Sequence, residues 1–215
     1  MELIREIIEV YIERADWFAE LAFQHFTLAF TAILIAGVSG LVIGIVIAER
    51  EKLASVVLGI INVFYTVPAI SLLGMLIPFL GIGNNTAVVA LTIYALMPMV
   101  RNTCTGIRAI DKDIIEAAKG MGSTWFQILY KIKLPLAMSV IIAGLRSMVV
   151  MTISVGSIAA FIGAGGLGVA VYRGISVYNE ALTFAGSILI AAMAIVCDLL
   201  LGCLEKYFKR KRRMK

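Results

Sequence analysis

Five long apolar runs, at residues 22–48, 53–80, 86–103, 136–162 and 181–204, constrain this chain more than any other feature. At ~1.5 Å per helical residue, each is about long enough to cross ~30 Å of hydrocarbon. Inside a bilayer the backbone must bond to itself, so runs of this kind read as helices. The 61% apolar composition lies well above that of a soluble domain and agrees. The expected fold is therefore an all-α polytopic membrane protein with about five transmembrane helices, over residues 21–204. In the first run Ala36, Gly40 and Gly44 form a ridge of small residues that lets a neighbouring helix approach closely. The second run is too long for one straight crossing. Pro68, after Tyr65-Thr66-Val67, removes a backbone hydrogen bond there, so a kink or break is expected. Residues 81–85, GIGNN, read as an outer turn.

The long polar interruption, residues 104–135, contains EAAKGMGSTWFQILYKIKLP from Glu116 to Pro135. Asp111 is placed to cap a first short helix, and Gly122 to end it in the left-handed region. Ser123 or Thr124 can cap a second helix, Thr124 with Gln127 fits a capping box, and the helix's stripe is Trp125, Ile128, Leu129 and Ile132. Leu134-Pro135 is expected to stop that helix. Glu116-Ala117-Ala118, Gly122, Ile132, Leu134 and Pro135 resemble the cytoplasmic loop signature of ABC-importer permeases: EAA, three residues, Gly, nine residues, Ile-x-Leu-Pro. The resemblance implies that these seven residues belong to coupling helices that dock into a groove of a separate ATPase subunit.

Charge gives the orientation. Fifteen of the nineteen Lys/Arg fall on one side: Arg50 and Lys52, the six of residues 101–133, and the seven of the basic tail 205–215. The positive-inside rule puts that side in the cytoplasm. With five spans the N-terminus is outside and the C-terminus inside, and the polar loop faces the cytoplasm. The basic residues sit at the ends of apolar runs, which favours a membrane-side role over nucleic acid.

Residues 1–20 form an acidic amphipathic segment, with Leu3, Ile4, Ile7, Ile8, Tyr11, Ile12 and Ala15 on one face. It is too charged to span. It either lies at the membrane surface or packs on the protein's own outer rim or on a partner; its pattern does not choose. No removable signal peptide is visible at the N-terminus. The single histidine, His25, reads as structural. Arg146 and Asp198 are the ionisable residues well inside the last two runs, at ~16 Å from Pro135 and ~12 Å from Lys206 along their helices. Similar depth suggests an ion pair fastening the fourth span to the fifth.

Cys104, Cys197 and Cys203 form no metal or disulfide pattern, and no cofactor is indicated. GAGGLG at 163–168 fits a dinucleotide fingerprint by letter only, since a membrane helix precedes it; it reads as a glycine-rich outer bend. There is no phosphate-binding lysine loop and no catalytic constellation, so the chain is expected to be no enzyme and to depend on a partner for ATP hydrolysis.

TVPAISLLGMLIPFLGIG (66–83), MPMVRNTCTGI (97–107), AGLRSM (143–148) and FIGAGGLG (161–168) are similar to permeases of osmoprotectant importers for glycine betaine, carnitine or choline. The resemblance implies a type I ABC-importer permease fold in the cell membrane of a prokaryote. It also implies as partners an ABC ATPase, an extracytoplasmic substrate-binding protein and a second permease, identical or merely similar, with membrane lipid around the spans. A passage lined near Tyr65, Thr66, Pro68 and Ser71 is expected where the second run breaks. Methionine-importer permeases share the loop and the glycine bend, so another small solute stays open. A stand-alone secondary transporter is the alternative from a different class; it would need internal repeats, which the sequence lacks.

Overall fold

The apolar runs become helices, and a computed structural model describes residues 1–213, with side chains through residue 208. The helices are α1 (Glu2–Glu13), α2 (Ala15–Ala48), α3 (Glu51–Thr66), α4 (Ala69–Leu80), α5 (Asn84–Arg108), α6 (Lys112–Gly120), α7 (Trp125–Ile128), α8 (Leu134–Gly156), α9 (Gly168–Ser176) and α10 (Glu180–Arg213). A π-helical turn, Leu129–Lys133, joins α7 to α8, and a 3-10 turn, Ser157–Ile162, follows α8. Among the described residues, four continuous helical stretches are long and apolar enough to cross a membrane, and α3 and α4 together form an apolar pair bent by 98°. The bend falls at Val67-Pro68, where the sequence places it.

α5 is the central helix, packed by α2, α3, α4 and α8. The predicted ridge of α2 is one of its seams. A Cβ at Gly40 would lie 2.9 Å from the Met99 side chain, and one at Gly44 would lie 2.5 Å from Cβ of Thr103, so only glycine admits this approach. The seam between α5 and α8 uses the same device: a Cβ at Gly144 would lie 2.5 Å from Cβ of Asn102.

The glycine-rich bend follows the 3-10 turn after α8. Gly163 and Gly166 have φ of 72° and 99°, which favours glycine. The Gly166 N–H donates to Gln24 Oε1 at 3.1 Å, and the Gly165 N–H to Asn84 Oδ1 at 3.1 Å. Beside them His25 is buried, with Nε2 3.0 Å from the Ile153 carbonyl oxygen. These contacts give the lone histidine a structural place.

Two boundaries differ from expectation, and one open alternative is decided. Leu134-Pro135 does not stop the second loop helix; Trp125 to Ile162 is one helical stretch. Proline cannot donate and its ring crowds the carbonyl four residues back, and the wider π turn just before it accommodates both demands. The last helix passes the expected end at residue 204 and runs to Arg213, so much of the expected tail is helix; residues 214 and 215 lie outside the described residues. Finally, α1 turns at Arg14 and packs on α10 through Ile7, Val10 and Tyr11, whose hydroxyl donates to the Ala185 carbonyl at 2.8 Å. Rim packing is thus the arrangement seen, while Ile4, Ile8 and Ile12 on the flank of the same helix stay exposed.

Candidate functional site: the polar elbow

The elbow between α5 and α8 is built by local rules. Asp111 caps α6, its Oδ1 accepting from the Asp113 N–H at 2.9 Å. At the other end the Ser123 N–H donates to the Ala118 carbonyl at 3.1 Å and the Gly122 N–H to the Lys119 carbonyl at 2.9 Å. With Gly122 at φ 80°, this is a Schellman closure. Thr124 and Gln127 then form the reciprocal capping box that starts α7. Two further contacts tie the elbow to the bundle. The Arg108 guanidinium donates to the Ala48 and Ile47 carbonyls at 3.1 and 3.3 Å, covering the open end of α2, and Lys133 pairs with Glu49.

What the elbow presents is apolar. Ala118, Ile128 and Leu129 are buried and hold it down. Ile114, Met121, Trp125, Phe126 and Tyr130 point outward, with Met121 80% exposed. The rings of Trp125 and Phe126 meet edge to face at 5.0 Å, and those of Phe126 and Tyr130 stack at 6.5 Å. Of the signature residues, Glu116, Ala117, Gly122 and Pro135 are exposed, while Ile132 and Leu134 are half-buried against the bundle. The loop thus carries exposed large apolar side chains, with Trp125, Phe126 and Tyr130 joined by ring contacts, on a frame capped at both of its short helices. The sequence pattern names the frame of this ridge. Its outward aromatics, Phe126 and Tyr130, lie outside both the signature and the apolar stripe.

Tyr65, Thr66, Pro68 and Ser71 gather at the α3–α4 break, each exposed on the single chain. Tyr94 of α5 braces the break: its hydroxyl donates to the Val67 carbonyl and its ring meets that of Tyr65 edge to face at 6.1 Å. A buried tyrosine hydroxyl needs a partner, but which one is a matter of tertiary contact.

Arg146 and Asp198 lie together where α8 meets α10. Nε donates to Oδ1 at 3.0 Å and Nη2 to Oδ2 at 2.8 Å, a two-pronged pair. Glu205 joins them, Oε2 accepting from Nη1 at 2.6 Å. Sequence reasoning missed Glu205 by assigning it to the tail. Its spacing from Asp198, seven residues or two helical turns, carried the signal. The cluster lines an open groove of about 630 Å³ between α8 and α10, with Ala143, Val150 and Ala194 along its wall.

Comparison with known proteins gives a consistent set of relatives. A family model described as "Binding-protein-dependent transport system inner membrane component" matches residues 40–214. The carnitine transport permease protein OpuCD of Listeria monocytogenes is 38% identical over 217 residues, covering 99% of this chain and 97% of that one. The choline transport system permease protein OpuBD of Bacillus subtilis is 38% identical, covering 99% and 96%. The glycine betaine/carnitine/choline permease protein OpuCD of the same organism is 39% identical, covering 96% and 90%. Among solved structures, a chain of the inward-facing MetNI methionine ABC transporter superposes with a TM-score of 0.84, covering 91% of this chain and 98% of that one at 24% identity.

Proposed function

The chain belongs to the family of inner-membrane components of binding-protein-dependent transport systems, and on that premise we propose that it is the permease subunit of an ATP-driven importer for small quaternary-ammonium solutes of the carnitine, choline and glycine betaine class. It is a multi-pass membrane protein. The observation that carries the mechanism is the capped elbow with its exposed apolar ridge. The ridge supplies a docking surface for an ATPase subunit, and Glu116, Ala117, Ala118, Gly122, Ile132, Leu134 and Pro135 set its frame. The chain sits in a prokaryotic cell membrane with its N-terminus outside and its C-terminus and elbow in the cytoplasm, as the charge distribution supports.

The solute passes beside the broken span, along Tyr65, Thr66, Pro68 and Ser71, in a passage completed by a second permease chain. These side chains are exposed on the single chain, which suits a surface that another copy or a similar permease covers. Broken helices at membrane depth are tolerated where they line such a path. Selectivity resides in an extracytoplasmic binding protein that delivers the solute to the outer rim. The curated relatives, at 38–39% identity over nearly the whole chain, favour this solute class over methionine.

The test is purification of the tagged chain from membranes of its own host. An ATPase and a second permease are expected to accompany it, and the binding protein associated with the assembly should bind labelled carnitine, choline or glycine betaine and not methionine. Recovery of the chain alone, or methionine binding in place of the quaternary amines, would contradict the reading.

A further inference from the structure

The ATPase-docking ridge and Arg146 ride on one helix. From Trp125 the stretch runs through the π turn into α8 without interruption, and Arg146 stands twenty-one residues along it, ~32 Å away. Displacement of the elbow therefore reaches Arg146 through continuous backbone. On α10, Asp198, Gly202 and Glu205 occupy one face at spacings of four and three residues. A Cβ at Gly202 would lie 3.3 Å from Cζ, 3.3 Å from Nη2 and 3.5 Å from Nη1 of Arg146. Three near-equal distances mean that the guanidinium faces this point broadside. It rests on the backbone of α10 where a side chain is missing, with one carboxylate at each end.

This fork is specific to arginine. Three N–H groups reach two carboxylates two helical turns apart, a span that the point charge of lysine does not reproduce. The cluster lines an open groove beside the apolar seam of Val149, Val150 and Ala194, so the fork fastens α8 to α10 where that seam opens. At its outer end α10 holds two other elements. α1 bonds to the Ala185 carbonyl through Tyr11, and α9 abuts α10 where Gly174 lies against Thr183.

We propose that Arg146, seated on Gly202 between Asp198 and Glu205, is a positioning residue that makes α10 follow α8 as one body, so that work delivered at the elbow reaches the outer rim formed by α1 and α9. This rests on the reading of the elbow as the ATPase-docking site. Glu205 and Gly202 are parts of the same fastening: one is the second jaw, the other the clearance that lets the jaws close. The ion cluster thus serves energy coupling more than stability.

The test uses the purified assembly in proteoliposomes, with ATP hydrolysis and solute uptake measured side by side. Arg146→Lys keeps the charge and loses the fork; solute moved per ATP should fall about tenfold while hydrolysis persists. Gly202→Ala, which presses on the guanidinium, should shift the same ratio in the same direction by less. Val150→Cys with Ala194→Cys, in a chain whose three native cysteines are replaced by alanine, allows a bifunctional thiol reagent to tie α8 to α10 across the groove. Tying them should leave uptake intact with Arg146 present and restore most of it in Arg146→Lys. Loss of uptake on tying, in an assembly that still hydrolyses ATP, would overturn this inference alone. A proportional fall of hydrolysis and uptake in Arg146→Lys would reduce the cluster to a structural role and overturn it too. An assembly without any ATPase would remove the proposed function together with what rests on it.

Discussion

Gly120 and Gly122 stand two residues apart in the elbow, and neither would bring a Cβ within 4 Å of another group. They differ in backbone: Gly122 has φ 80° and closes the Schellman turn, whereas Gly120 is the last residue of α6. Gly122→Ala therefore costs about 1–2 kcal/mol for placing a Cβ in the left-handed region. Part of this, about 0.4–1 kcal/mol, is offset by the lower chain entropy of the unfolded state when a backbone conformation can be kept. The net loss of about 1 kcal/mol falls on the local equilibrium that holds α6 and α7 at their angle, because both sides of the turn are otherwise exposed. Converted at 1.4 kcal/mol per decade, the equilibrium constant for the docking-competent elbow drops about fivefold. Gly120→Ala gains up to about 1 kcal/mol of helix propensity and should be neutral or favourable. Gly122→Asn should retain most function, since asparagine tolerates the left-handed region. The assay is titration of permease in nanodiscs with the ATPase subunit, reading the midpoint of complex formation. A midpoint weaker by up to about fivefold for Gly122→Ala, beside an unchanged one for Gly120→Ala, is expected. Equal damage from both substitutions would refute the argument, because it would mean that glycine is needed for room against the partner and not for its dihedral angle.

Other consequences follow from single contacts. Thr124→Ala removes the capping box and should weaken the same midpoint by about 1 kcal/mol of cap energy, with Gln127→Ala adding little once Thr124 is gone; additive losses would argue against a reciprocal box. Gly144→Val forces a side chain into Asn102 and should abolish recovery of folded permease by size-exclusion chromatography, whereas Gly74→Val, with open space around it, should fold; normal yields of both would show that the α5–α8 seam is not a close approach. Tyr94→Phe leaves the Val67 carbonyl without its hydroxyl and should cost about 1–3 kcal/mol, read as a lower Tm in detergent; an unchanged Tm would remove Tyr94 as the brace of the break. Tyr65→Ala should lower uptake while the ATPase still co-purifies, and full uptake would take that side chain out of the passage.

The sequence made legible what local chemistry decides. The break at Pro68, the small-residue ridge of α2, the Gly122 turn and the Thr124–Gln127 box each involve residues within a few positions of one another or a pattern of helical period. Pro135 misled because proline usually ends a helix, and nothing local announces a π turn that absorbs its missing N–H. Glu205 was passed over because charge density assigned it to a tail, although helical period from Asp198 put it on the same face. The docking of α1 was undecidable from its pattern, since an apolar face suits lipid and protein alike, and the choice rests on a contact between Tyr11 and Ala185 across most of the chain. The bond from Tyr94 to Val67 is likewise tertiary. The elbow's frame was readable from its signature; the aromatic ridge that the frame presents emerged from side-chain exposure.

The claim underneath all of this is that nucleotide-driven force enters the chain at the elbow. The most direct measurement is accumulation of labelled carnitine, choline or glycine betaine by proteoliposomes containing the assembly purified through this chain, with ATP on the elbow side and with the ridge altered by Met121→Asp and Phe126→Asp. Uptake is expected to require ATP hydrolysis and to collapse in the altered assembly while the permease itself still folds. Uptake that proceeds without nucleotide, or that survives two charges on the ridge undiminished, would contradict it.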